Sequence, residues 1–146
     1  MFREAGAADF ASVMELYRQL HPADAVVPEE RARTVYDEIL QTPGMRLFLL
    51  EEDGVAIAST YLNVIPNLTR GAARYGVVEN VIVDAARRGT GIGKAVMAGT
   101  LQAAWDAGCY KVMLLTGSKR ESTHAYYRAC GFVAGAKTGF VAHPPA

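Results

Sequence analysis

The 146-residue sequence has only two cysteines, no long apolar run and no excess of charge of either sign. Cys109 and Cys130 have neither metal-ligand spacing nor a CxxC motif, which argues against a metal site and predicts reduced thiols. No stretch approaches the roughly 18 apolar residues of a membrane span. The first ten residues carry charges where a signal peptide needs an apolar run. We therefore expect a cytoplasmic protein with no membrane segment and no metal.

The charge balance argues against a nucleic-acid partner. Fifteen Lys and Arg residues offset fifteen Asp and Glu residues, so no net field attracts the protein to nucleic acid or to an anionic membrane. Any basic binding site must therefore be local. The length and the 51% hydrophobic content are those of a single globular domain over residues 1–146, and a chain of this size buries about two thirds of its unfolded surface.

Hydrophobic periodicity predicts the element order β-α-α-β-β-β-α-β-α-β-β. A short strand, "FREA", precedes a helix that Asp9 is expected to cap and that stops at His21-Pro22. A second helix is predicted from Pro28 to about Leu40. Its apolar face is expected to consist of Val35, Ile39 and Leu40.

The rest of the chain reads as strands with two further helices. A hairpin turns at Asp53-Gly54, "RYGVVENVIVD" is a third long strand, and Gly108 ends the helix that follows it. The remaining predictions are a strand at Lys111–Thr116, a short helix at Thr123–Ala129 and a terminal strand pair at Gly131–Ala134 and Gly139–Ala142.

The segment "ARRGTGIGK", Ala86 to Lys94, has the composition of a phosphate-binding loop. A Walker A loop fails here because Arg88 stands at the first glycine position and Ala95 follows the lysine. A dinucleotide fingerprint fails because its third glycine is missing and the next strand has no acidic residue. What remains is a glycine-rich helix start whose amides and dipole favour a diphosphate without a metal ligand. A glycine-rich helix start that binds nothing is the alternative.

Two motifs give the sequence a family resemblance. "VIVDAARRGTGIGKAV" resembles the acetyl-CoA motif of the GCN5-related N-acetyltransferases (GNAT), with Arg88, Gly91 and Gly93 at its core positions. "YYRACGF" is similar to a second motif of the same family. Ala85 and Arg87 depart from residues that are frequent in the family. The resemblance implies an α+β fold, an α/β three-layer sandwich whose mixed, mostly antiparallel sheet is flanked by helices.

The resemblance also implies acetyl-CoA as cofactor, no metal, and direct acetyl transfer to a primary amine of a small molecule or peptide in a ternary complex. The Val81 amide would polarise the thioester carbonyl, and the pantetheine arm would pair with the strand end where the fourth and fifth strands diverge. The implied cofactor-binding residues are Val81, Ile82, Val83, Arg88, Gly89, Thr90, Gly91, Ile92, Gly93, Lys94 and Tyr127.

Glu79 and Tyr127 are the candidate catalytic residues. An amine with a pKa near 10.4 is only about 0.04% free base at pH 7, so a nearby carboxylate base is useful. Glu79 leads into the glycine run among valines, and desolvation there would tune it as a base, acting directly or through a water. The resemblance implies that Tyr127 reaches the departing sulfur. A solvated glutamate and a core tyrosine are the alternatives.

The acceptor is expected at the loop "IPNLTRGAARYG", where Arg70 and Arg74 suit a carboxylate-bearing amine; two exposed loop arginines are the alternative. Asn67, Thr69 and Asn80 add polar groups near this loop. The implied function is N-acetyl transfer, with a non-catalytic acetyl-CoA-binding module and an interaction domain as the other readings. The family often forms homodimers, and sequence leaves that assembly open.

Overall fold

The computed structural model describes residues 1–146, in which five strands form one sheet whose spatial order follows the sequence. Neighbouring strands are antiparallel except for the last pair, which is parallel. The strands are β1 (Phe2–Glu4), β2 (Met45–Glu52), β3 (Val55–Ile65), β4 (Arg74–Val83) and β5 (Cys109–Met113). This mixed, mostly antiparallel sheet confirms the predicted fold class.

Five helices connect or follow these strands. They are α1 (Phe10–Leu20), α2 (Glu29–Gln41), the short α3 (Thr69–Ala72), α4 (Ile92–Asp106) and α5 (Glu121–Ala129). Single 3-10 turns cover Ala7–Asp9 and Ala85–Arg87. Residues 1–114, with the sheet and α1 to α4, form one compact unit, and residues 115–146 form a second one.

Strand alternation divides the first unit into two apolar layers, because successive side chains point to opposite faces of a sheet. On one face, Leu47, Leu49 and Ile82 pack with α1 and α2. On the other face, the buried Thr60 of β3 bonds to Thr100 of α4, and a side-chain carbon at Gly99 of α4 would lie 2.7 Å from the Phe2 ring of β1. We call these the α1 face and the α4 face.

The two amino-terminal helices match the predicted boundaries, but two local predictions are wrong. The Asp9 side chain makes no cap bond to α1, because it accepts hydrogen bonds from Arg3 and from the Gly6 amide instead. In α2 the buried residue is Tyr36, whose hydroxyl donates to the Gly6 carbonyl at 2.7 Å, whereas Val35 is exposed. The prediction is therefore wrong for Val35, whereas Ile39 and Leu40 pack against the core as expected.

The carboxyl-terminal third departs most from the prediction. Strand β5 starts and ends earlier than predicted, since its pairing with β4 stops at Val77 and Met113. The terminal strand pair at Gly131–Ala134 and Gly139–Ala142 does not form. Gly131 and Gly135 adopt positive φ, and the apolar residues of these segments other than Phe132 are exposed, so no partner strand stabilises either segment.

Candidate active site

The glycine run after β4 forms an open cradle at the start of α4. Gly89 and Gly91 have φ values of +78° and +85°, and nothing lies within 4 Å of a side-chain carbon placed on either one. Helix α4 begins directly after Gly91, so the amides of its first turn point out of the helix end. The positive dipole end of a 15-residue helix favours an anion there. The run fits a diphosphate in conformation and in space.

The charged side chains around the cradle differ in which groups they contact. The Arg88 Nε donates to the Val83 carbonyl at 3.3 Å, which holds the guanidinium at the end of β4. Arg87 forms an ion pair with Glu52. The Thr90 hydroxyl donates to the Arg87 carbonyl and closes the turn, and Lys94 is exposed on the first turn of α4. Arg88 and Lys94 are therefore the cations next to the glycine amides.

Strand β4 has a bulge and a free edge just before the cradle. Tyr61 pairs with Glu79 and Ser59 with Ile82, so β4 has one residue more than β3 between these pairs. Asn80 takes up the bulge with φ +49°. On its other side β4 pairs with β5 only as far as Val77. The edge of β4 from Val81 to Val83 therefore has no β5 partner, which agrees with the divergence that the resemblance implies.

Glu79 lies on β4 opposite Tyr61, and directly opposed residues share a face of the sheet. This is the α1 face, because Tyr61 packs against the cluster formed by α1 and α2. Burial raises the pKa of Tyr61, and the nearby Glu38 adds to that rise. The Glu79 side chain is exposed, so the apolar enclosure expected from its valine neighbours does not form.

Sequence reasoning missed two polar residues beside the bulge. The Tyr17 and Ser59 hydroxyl oxygens are buried and neither has a hydrogen-bond partner. Burial raises the pKa of Tyr17 to about 12, and Asn80 and Ser59 lie near enough to oppose that rise. The signal for this group was the run Ser59, Tyr61 and Asn63, three polar residues at alternate positions of a strand that is otherwise apolar except for Thr60.

The acceptor loop is built around a contact between two predicted site residues. The Asn67 amide donates to the Thr69 carbonyl at 3.0 Å and to its hydroxyl at 3.1 Å, which stabilises the short turn of α3. Arg70 follows with φ +56° and is exposed. Arg74 is exposed and pairs with Cys109 at the start of β4. Glu79 lies five positions along the strand from Arg74, about 17 Å at the usual rise.

In residues 115–146, Tyr127 lies between two aromatic rings. Its ring centroid is 5.0 Å from that of Tyr126 and 6.2 Å from that of Phe132. The Phe132 amide donates to the Tyr127 carbonyl at 3.1 Å, after a turn at Gly131 with φ +98°. Burial raises the pKa of Tyr126. The two tyrosines of the motif thus share one aromatic cluster.

His124 and Arg128 of α5 have partners within the same unit. A His124 ring nitrogen lies 2.7 Å from the Ser118 carbonyl oxygen, and Arg128 pairs with Glu121. In the whole chain, no group of three His, Cys, Asp or Glu residues is arranged to hold a metal ion. None of the helices has the length and apolar character required to cross a bilayer.

A glycine cradle that follows a strand with a free edge, where β4 and β5 diverge, is the arrangement that the family resemblance implied. The chain belongs to the acetyltransferase (GNAT) family, whose model matches residues 10–132. As the sequence indicated, it is an N-acetyltransferase that uses acetyl-CoA to acetylate an amine. Solved members of the same fold include an aminoglycoside N-acetyltransferase in complex with CoA.

The chain is similar to curated and solved proteins from several organisms. It is 35% identical over 126 residues to glucosamine 6-phosphate N-acetyltransferase 1 of Oryza sativa subsp. japonica, covering 81% of this chain and 71% of the relative. It is 30% identical to glucosamine 6-phosphate N-acetyltransferase of Trypanosoma brucei brucei, covering 86% and 83%. A second rice relative, 40% identical, is matched over only 54% of its length and 60% of this chain.

A solved structure from Agrobacterium tumefaciens, described as an acetyltransferase, is 41% identical and covers 99% of both chains with a TM-score of 0.94. The crystal structure of glucosamine-6-phosphate N-acetyltransferase from Arabidopsis thaliana has a TM-score of 0.83 at 23% identity, covering 99% of this chain and 98% of the other. At that identity the likeness concerns the fold alone.

Proposed function

We propose that the protein, acting as one catalytic domain over residues 1–146, acetylates the amine of a small amino sugar phosphate, with glucosamine 6-phosphate as the first candidate. The observation that carries this proposal is the similarity to relatives of that name at 30% and 35% identity over more than four fifths of the chain. The carboxylate-bearing amine expected from the sequence is here replaced by a phosphate-bearing amine, whose acidic group has the same sign of charge.

The cofactor would be held by the cradle and the β4 edge. Arg88 to Lys94 supply amides and two cations for the diphosphate, and Val81 to Val83 supply backbone groups for the pantetheine arm. When bound, acetyl-CoA supplies an activated acetyl group. The open space at Gly89 and Gly91 supports this assignment, since any side chain there would adopt a strained conformation and narrow the cradle.

Glu79 is the proposed base for the acceptor amine. It is exposed on the α1 face, at the bulge where the free edge of β4 begins. Its carboxylate would accept a proton from the amine directly or through one water. Tyr127 is the proposed hydrogen-bond donor to the departing sulfur. Full proton transfer from a phenol to a thiolate is uphill by about 2 kcal/mol, so a hydrogen bond is its main contribution.

The proposed acceptor site uses the polar residues Asn67, Thr69, Arg70, Arg74 and Asn80. Asn80 adjoins Glu79, and the contact between Asn67 and Thr69 shapes the turn that presents Arg70. Arg74 lies about 17 Å along the strand from Glu79. We propose Arg70, which is exposed in the turn before β4, as the residue that binds an acceptor phosphate. A guanidinium binds a phosphate through paired charge-assisted hydrogen bonds.

We also propose a cytoplasmic location and a homodimer. Two free cysteines suit a reducing compartment. In the carboxyl-terminal segment, Val133, Val141 and Phe140 are 77%, 74% and 89% exposed, which a second copy of the chain would cover. Light scattering should give the mass of two chains. Phe140→Ser should shift the protein towards one chain, whereas Val26→Ser, at another exposed apolar residue, should leave the dimer intact.

The test of the function is CoA release from acetyl-CoA, followed with a thiol reagent. We expect glucosamine 6-phosphate to give a kcat/KM at least about tenfold above that of glucosamine, because the phosphate adds charge-assisted bonds. Glucose 6-phosphate, which lacks the amine, should release none. Equal rates with and without the phosphate, or release only with peptides or amino acids, would contradict the proposed acceptor.

A variant pair tests the phosphate contact separately. Arg70→Ala should raise the KM for glucosamine 6-phosphate and leave that for glucosamine unchanged. Arg33→Ala is the matched control, since Arg33 is an exposed arginine on α2 that pairs with Glu29. An equal change in both KM values for Arg70→Ala would assign the phosphate to another residue.

A further inference from the structure

Gln19, near the end of α1, uses both ends of its side-chain amide to hold the turn after β4. Its Nε2 donates to Asp84 Oδ2 at 3.0 Å, and its Oε1 accepts from the Ala85 amide at 2.9 Å. These partners lie 65 and 66 residues away in the sequence. A glutamine that satisfies one donor and one acceptor on the same turn fixes its orientation as well as its distance.

The turn that Gln19 holds leads directly into the glycine cradle. Asp84 Oδ1 accepts from the Ala86 amide at 2.9 Å, and the Asp84 carbonyl accepts from the Arg87 amide at 2.9 Å. The Asp84 amide donates to the Ile57 carbonyl at 2.8 Å, which ties the turn to β3. Hydrogen bonds from Gln19 and Ala86 lower the pKa of the Asp84 carboxyl, with Arg87 and Arg88 adding to the effect.

The cradle itself has little intrinsic rigidity. Gly89, Gly91 and Gly93 occupy alternate positions of one short run, and glycine loses more conformational freedom on ordering than any other residue. A ligand that must order such a run by itself binds more weakly than one that meets it already ordered. The anchors before the run therefore matter for binding, and Gln19 of α1 provides two of these hydrogen bonds.

We infer that Gln19 is a positioning residue for acetyl-CoA: by bonding Asp84 and Ala85 it pre-orders the turn that sets the glycine cradle. The inference rests on the cofactor site described under the proposed function. It does not depend on which amine is the acceptor. The link also joins the cradle to α1, the helix that contributes Tyr17 to the face on which Glu79 lies.

The packing of α1 does not need Gln19. The buried residues of the helix are Phe10, Val13 and Leu16, whereas Gln19 is only half-buried. Removing its amide leaves these apolar contacts in place, so loss of the fold is not the expected result. The turn loses its connection to α1 but keeps its bond to Ile57 of β3.

The test is calorimetric binding of CoA to the whole chain carrying Gln19→Ala. We expect the Kd for CoA to rise about 5- to 20-fold, since two hydrogen bonds are lost and one of them is to a charged acceptor. The KM for acetyl-CoA should rise in parallel while kcat stays within about twofold. Gln102→Ala is the matched control, because Gln102 donates to Asp106 at 2.8 Å far along α4, and its Kd should not change.

A second variant separates the two bonds. Gln19→Glu keeps an acceptor for Ala85 but removes the donor to Asp84 and sets two carboxylates against each other. We expect it to weaken CoA binding at neutral pH at least as much as Gln19→Ala. An unchanged Kd in both variants would overturn the inference, as would a fall in kcat and in unfolding temperature with no change in Kd. Failure of the unaltered protein to bind CoA would instead overturn the cofactor site itself.

Discussion

Two pairs of buried hydroxyl groups lie on opposite faces of β3, and they differ in whether they are hydrogen-bonded. On the α4 face the Thr60 and Thr100 hydroxyls bond to each other at 2.6 Å, and Thr100 also donates to the Val96 carbonyl at 2.7 Å. On the α1 face the buried hydroxyls of Tyr17 and Ser59 have no partner. A buried hydroxyl without a partner costs about 1–3 kcal/mol, so the second pair weakens the fold where the first does not.

This difference in hydrogen bonding accompanies a difference in how the two faces are packed. The α4 face is a closed layer, in which α4 packs on the sheet through Val96, Met97 and Ala104. The α1 face contains the bulge, the exposed Glu79 and the polar run of β3. Proteins satisfy local packing rules least well at their functional sites. The contrast thus supports the α1 face as the side on which the acceptor is bound.

The largest expected effect is on activity. Glu79→Gln should lower kcat/KM about 100-fold or more, because the amide cannot accept a proton from the amine. The loss should be greatest at low pH, where less of the amine is free base. The free energy of unfolding and the Kd for CoA should stay unchanged, since Glu79 is exposed. Steady-state kinetics across pH test this, and a rate ratio near one would remove Glu79 from the mechanism.

The next effect concerns the closed face. Thr100→Val should lower the free energy of unfolding by about 1–2 kcal/mol, because the Thr60 hydroxyl loses its partner in a buried site. Replacing both threonines by valine should restore most of the loss, as no orphaned hydroxyl remains. Urea unfolding of the two single variants and the double variant measures this. Additive losses would mean that the two hydroxyls are not coupled.

A smaller, pH-dependent effect is expected at the start of α1. The Arg3 hydrogen bond lowers the pKa of the Asp9 carboxyl, with a contribution from the Gly6 amide. Because the folded pKa is below the unfolded value, Asp9 stabilises the fold above about pH 4 and loses that effect as the pH falls further. Asp9→Asn should cost about 1 kcal/mol at pH 7.

The unfolding free energies of Asp9→Asn and the unaltered protein should converge below about pH 4. Glu29→Gln is the control, because Glu29 forms an exposed pair with Arg33 one helical turn away, and such pairs contribute little. A constant difference between Asp9→Asn and the unaltered protein at all pH values would assign the effect to packing.

The smallest effect has the opposite sign to that of Thr100→Val. Tyr17→Phe removes a buried hydroxyl that has no partner, so the free energy of unfolding should be unchanged or higher by up to about 1 kcal/mol. A loss of more than 1 kcal/mol would show that the hydroxyl is satisfied in solution. In that case the contrast between the two faces would no longer hold.

The sequence predicted the elements that have strong local signals. The hairpin turn formed at Asp53 and Gly54, both with positive φ, and Gly108 ends α4 as expected. The glycine run opens a helix with positive φ at Gly89 and Gly91, the conformation that only glycine adopts without strain. These features depend on residues close together in the chain.

Other features depend on partners far away in the sequence. The segments after Gly131 alternate like strands, but a strand also needs a neighbouring edge, and local pattern does not report one. The pairing between Tyr61 and Glu79, the link from Gln19 to Asp84 and the absence of partners for Tyr17 and Ser59 are all tertiary. The placement of Asp9 with Arg3 likewise replaced a local cap by a contact between elements.

The extra residue at Asn80 reverses the alternation of side chains between the two faces of β4. Glu79 before it and Ile82 after it both belong to the α1 face, although they are three positions apart and simple alternation would place them on opposite faces. Without the insertion, the strand would present the opposite set of side chains from Val81 onwards. One added residue thus lets a single strand place both Glu79 and Ile82 on the same face of the sheet.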